Sequence, residues 1–173
     1  MGAATCQGQI GTGASVSWAN AEGGIVFSRE DSATGTTPIP TPTSTGTNFS
    51  WIKNLVLAVT ATGTTSISNR KISYSGSLTT GLSLFWKDVA VASYAQAASG
   101  NKPADSGSNG ATPTGYTAMI STPAVYDSTS HSSGSTGPNG DMAVCVMGVD
   151  STYTGGPGAA ISLPNIVLTY DEA

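Results

Sequence analysis

Side chains able to do acid–base or nucleophilic chemistry are few in this chain and widely separated. His131 is the single histidine and stands in STSHSSGS, a Ser/Gly stretch whose composition predicts an exposed loop. A Ser–His pair needs a third group to orient the imidazole, and neither a G-x-S-x-G elbow nor an H-E-x-x-H helix accompanies it. Glu30–Asp31 and Asp171–Glu172 are the only adjacent acidic pairs. Glycoside hydrolysis requires two carboxyl groups flanking one bond, whereas adjacent strand residues point to opposite faces. Glu30–Asp31 is therefore expected to hydrogen-bond a turn or pair with Arg29, and Asp171–Glu172 to be solvated. Asp105, Asp127, Asp141 and Asp150 offer oxygen ligands for Ca²⁺, but their spacing fits no EF-hand or RTX loop. GQIGTGAS has the glycines of a phosphate cradle without a helix signal after it. No catalytic, metal-binding or cofactor-binding residue is assigned.

The remaining candidates bear on binding. Cys6 and Cys145 have neither metal-site spacing nor the number for a disulfide framework. Cys145, inside MAVCVMGV, is expected to be a buried free thiol. A Cys6–Cys145 bridge would require the N-terminal segment to lie beside that strand. Trp51 and Trp86 fall on the apolar side of alternating strands and are expected in the core. Trp18, in SVSWANAEGG ahead of a turn, is the one aromatic left as a possible partner contact.

The elements that must position these residues are short. Charged residues make up 9% of the 173, with a net charge of −4, against about 25% charged in an ordinary domain. Leu, Ile, Val and Phe together reach only about 17%. Disorder would require stronger self-repulsion than this charge supplies. Small neutral residues with sparse aliphatics imply short strands, polar turns, a thin core and a surface that neighbours cover. The six basic residues are dispersed, only Arg70–Lys71 being adjacent, which argues against nucleic acid. No apolar run is long enough for a bilayer helix. MGAATCQGQI has no basic n-region or apolar h-region, so the expectation is a protein made in the cytoplasm.

Period-2 alternation dominates the pattern. GGIVFS is predicted as a short strand with Ile25 and Phe27 on one face. NFSWIKNLVLAVT sets Trp51, Leu55, Leu57 and Val59 together, and SISNRKISYS, after ATGT, reads as its hairpin partner with Ile72 and Tyr74 inward. LSLFWK places Leu82, Leu84 and Trp86 opposite Ser83, Phe85 and Lys87. DVAVASYAQAAS is undecided between helix and strand. YTAMI, MAVCVMGV and ISLPNIVLTY follow; the last two read as central strands, with Pro164 delaying its strand or placing it at an edge. The fold class is all-β: a single-domain β-sandwich or jelly roll spanning residues 1–173, with a short N-terminal arm of about 1–13 and long polar loops. Residues 32–48, 99–115 and 127–141 form those loops, and are expected to gain order from neighbouring subunits.

The succession WANAEGGIVFSRED, TNFSWIKNLVLAVT, ISNRKISYSGS, LTTGLSLFWK and LPNIVLTYDEA resembles the small β-sandwich virion structural proteins of tailed bacteriophages, over most of the chain. The resemblance implies a non-enzymatic role as a capsid cement or decoration protein, or as an accessory subunit of the neck, tail or baseplate. Its implied partners are the major capsid protein or other virion subunits and further copies of itself, without nucleic acid or membrane. The location would be the virion, after synthesis in the host cytoplasm. No catalytic residue comes with it. The alternative of another class is a carbohydrate-binding jelly roll that recognises a receptor.

Overall fold

In the computed structural model, residues 5–61, 66–131, 136–155 and 165–172 are described. They form ten strands: β1 (Thr5–Thr12), β2 (Ser17–Asn20), β3 (Thr47–Phe49), β4 (Lys53–Ala61), β5 (Ile67–Ser75), β6 (Leu82–Ala90), β7 (Thr117–Ala118), β8 (Ala124–Asp127), β9 (Asp141–Asp150) and β10 (Asn165–Glu172). Every pairing is antiparallel. The larger sheet runs β2-β1-β4-β9-β6-β7, with β3 also on β9, and the smaller runs β10-β5-β8. Among the described residues no helix is long and apolar enough to cross a membrane.

The all-β architecture follows from the alternation, and its two faces explain the core. Leu55 on β4, Leu84 and Trp86 on β6, and Cys145 and Met147 on β9 point toward the smaller sheet, where Ile72 and Tyr126 meet them. Their neighbours Val56, Phe85, Val144 and Val146 point the other way and are also buried, beneath Ala97 and a fringe of half-buried aromatics. β9 is therefore apolar along nearly its whole length, as a strand covered on both faces must be.

Four expectations change. Thr5–Thr12 is not an arm but a strand between β2 and β4, because Ile10 fits the core at 1% exposure. β4 and β5 do not form a hairpin: β4 pairs β1 and β9, while β5 crosses to the other sheet; the proposed turn at 62–65 lies outside the described residues. GGIVFS forms no strand, although Phe27 is buried. β10 is an edge strand of half-buried residues and not a central one, the edge position being one of the two that Pro164 implied; Pro164 itself lies outside the described residues. DVAVAS continues β6 and ends in a single 3-10 turn, Val91–Ser93.

The long loops are tied to the body within the chain. Thr47 and Ser106 exchange backbone bonds of 2.8 and 2.9 Å, and Gly46 N–H donates to Asn109 Oδ1 at 2.7 Å. His131 exchanges two with Ile67, and Gly137 N–H donates to Val59 O at 2.7 Å.

Candidate functional site

His131 is not exposed. The chain returns it against β5, where it is buried between Arg70 and Asp127, both of them with fully buried side chains. Arg70 pairs with Asp127 through Nη2 and donates from Nη1 to Leu57 O at 2.8 Å and from Nη2 to Asn139 O at 2.6 Å. The imidazole Nε2 lies 2.9 Å from the same Asp127 Oδ2 and also touches Arg70 Nη2. The Asp127 carboxylate further accepts from Thr129 N–H at 2.8 Å and Asp141 N–H at 3.0 Å. Burial alone would raise its pKa, but the Asp141 amide, His131, the Thr129 amide and Arg70 together hold it well below the usual carboxylate range. Gly140 closes the cluster with φ at +69°, and a β-carbon there would strike Asp127, Arg70 and His131 at once.

The cluster answers a backbone problem. β9 pairs β4 only at Lys53–Leu55, so Leu57 has no strand on that side. Its N–H donates to the Tyr126 hydroxyl at 2.9 Å and its C=O accepts from Arg70. Both partners belong to the smaller sheet, which makes the pair a polar clasp between sheets and satisfies groups that burial would otherwise penalise. The sequence gives one cue to it, a lone Arg inside an alternating strand with an Asp closing another. Among the described residues no hydroxyl or thiol hydrogen-bonds His131; Ser132 and Ser133 lie outside them. Among the described residues the arrangement fixes structure and presents no nucleophile–base pair.

The carboxylates are dispersed. Glu30 accepts from Thr37 N–H at 2.6 Å and from the Thr37 hydroxyl, as a turn ligand does. Arg29 pairs instead with Asp105, which Lys102 also contacts at 2.7 Å. Asp171 is bonded to Lys71 at 2.6 Å and to Asn69 at 3.0 Å, and is not merely solvated. Asp150 turns back on Thr152. Among the described residues no group of three potential ligands surrounds a metal position. Lys53, 2% exposed, donates to the carbonyls of Glu30 at 2.7 Å and Ser32 at 2.6 Å, and burial lowers its pKa to about 8. Both cysteines are free. Cys145 is fully buried, which pushes its thiol far up, and burial also raises the half-buried Cys6.

The surface with the means to bind lies on the outer face of the larger sheet. The registers set one row across it: Trp18 beside Gly11, Gly11 beside Asn54, Asn54 beside Val144, Val144 beside Lys87. Trp18 is half-buried at one end, against Gly11 and edge-on to Tyr94 with centroids 6.1 Å apart. Trp86 is in the core at 7% exposure, whereas Trp51, expected there on the Leu55 face, precedes β4 and is a half-buried member of this outer covering, packed against the cluster of Phe49, Val56 and Phe85. At the other end Lys87 Nζ stands 4.9 Å over the Tyr116 ring. Two adjoining clefts of about 210 and 510 Å³ share Lys87, Asn101 and Tyr116 in their walls. The second lies within the roughly 300–1,000 Å³ range of ligand sites. A third cleft, about 290 Å³ and mainly apolar, opens between β1 and β10 where Cys6, Leu57, Leu168 and Tyr170 face one another. No family model, curated protein or solved structure matches the chain.

Proposed function

We propose that this chain is a non-enzymatic structural subunit of a tailed-bacteriophage particle, acting as a capsid cement or decoration protein. What supports this is the state of the sheet edges. β2 and β10 each have one partner strand among the described residues. Along β2, SWAN carries no charged residue or proline, and along β10, NIVLTYDE, the charged residues are confined to Asp171 and Glu172 at one end. Proteins that stay monomeric guard such edges with lysine, proline or bulges, because bare N–H and C=O groups recruit other strands. An uncharged edge strand on the larger sheet and a mostly uncharged one on the smaller, with only 9% charged residues in the chain, suit a protein whose surface is covered in an assembly. Val16, at 40% exposure beside Trp18, extends the β2 edge as an apolar contact. The partners on this reading are the major capsid protein, or other virion subunits, and further copies of the chain.

Absolute quantification of the chain in purified particles by mass spectrometry tests the proposal. Hundreds of copies per particle mark a cement protein, and a low multiple of three or six marks a neck, tail or baseplate subunit. Absence from the particle overturns the virion role.

A further inference from the structure

The groove along Lys87 has a chemistry that the particle role does not use. Its wall is formed by β6 and by the segment 101–116, and its floor by Ile52, Met142 and Val144. Lys87 is half-buried, and among the described residues its ammonium meets no carboxylate and no hydrogen-bond acceptor; it stands over the Tyr116 ring. Lys102 stands in the same groove, and Arg29 reaches its rim through Asp105. Two of the six basic residues, Arg29 and Lys102, thus share the Asp105 carboxylate, and a third, Lys87, lines the same groove, in a chain whose net charge is −4. Charge complementarity selects an anion. The remaining lining is neutral and rich in hydroxyl and amide groups: Asn101, Ser106, Thr112, Thr114 and the Tyr116 phenol. Burial pushes the Tyr116 pKa up to about 12, so the phenol keeps its proton as a donor. Hydroxyls and amides along one wall match a ligand carrying many hydroxyl groups, and the unpaired ammonium matches a single negative group on it.

We infer that this groove binds an acidic saccharide, with a sugar carboxylate on Lys87 and its hydroxyls on the polar wall formed by Asn101, Thr112, Thr114 and Tyr116. The inference stands apart from the virion role, since it concerns the isolated chain. A galacturonic-acid trisaccharide titrated into the ¹⁵N-labelled full chain is the test. A neutral galactose trisaccharide and a Glu-rich heptapeptide serve as comparisons. Amide shifts should cluster at 52–54, 86–89 and 101–116, and the neutral sugar should bind at least about tenfold more weakly. Lys87→Met keeps the apolar stem and removes the charge; it should lower affinity about tenfold with unchanged far-UV circular dichroism, and added salt should weaken the native protein similarly. If Lys87→Met fails to fold, Lys87→Gln carries the same expectation. No shifts at about 10 mM sugar, far weaker than any useful affinity, would overturn the inference. So would shifts centred elsewhere, equal binding of the neutral sugar, or tighter binding of the acidic peptide.

Discussion

Replacing Asp127 by Asn removes one charge and almost no volume from the clasp between the sheets. Both side chains of the Arg70–Asp127 pair have 0% exposure, so the guanidinium left behind cannot recover solvent without opening the sandwich. Removing one partner of a buried pair costs about 3–5 kcal/mol, since the other charge is stranded. That is a large share of the ~5–15 kcal/mol that holds a domain together. With a urea m-value near 2 kcal/mol per M, the unfolding midpoint should fall by about 1.5–2.5 M at unchanged slope. The pH dependence has a definite sign. The folded-state pKa of Asp127 is depressed, so the stability it contributes is complete above the ordinary aspartate value of ~3.9 and is lost as pH falls toward the lower folded value. Asp127→Asn should be flatter than the native protein in that window. In Arg70→Met/Asp127→Asn both charges are gone, and the loss should be smaller than the sum of the single losses, although Leu57 O then lacks its donor. A midpoint shift below about 0.5 M for Asp127→Asn, or additivity within ~0.5 kcal/mol, would refute the clasp as a coupled buried unit.

Three other outcomes follow from the same geometry. Lys53 carries a pKa of about 8 in the fold against ~10.4 when unfolded; stability should therefore rise with pH between those values, and Lys53→Met should abolish the rise in pH-dependent denaturation curves. Cys6 should react with a thiol reagent faster than the fully buried Cys145, and denaturation without reductant should release two free thiols. Hydrogen exchange on the dilute chain should find the amides of Thr47, Ser106, His131 and Gly137 protected, because each donates to a backbone carbonyl elsewhere in the chain; rapid exchange at all four would restore loops ordered only by neighbours.

Much of the fold is written in local pattern. The period-2 alternation of LSLFWK places Leu84 and Trp86 on one face and Phe85 on the other, and the continuous apolar run MAVCVMGV marks the strand buried on both sides. Such signals survive because a strand's side-chain geometry depends on nothing beyond its own backbone. Cys145 and Trp86, at the centres of these runs, were legible for the same reason. Tertiary structure alone decided which strands pair. The ATGT segment has the composition of a hairpin turn, yet β4 and β5 lie in different sheets, since turn residues permit a reversal without fixing where the next strand docks. It also decided the fate of the polar residues. His131, embedded in serines and glycines, reads as solvent-exposed until β5 brings Arg70 to it across sixty-one positions. Lys87 is one of six dispersed basic residues until the segment 101–116 folds over it and sets it on Tyr116. Alternation declares which face a side chain takes; which charge it meets there depends on contacts distant in sequence, and no local pattern encodes them.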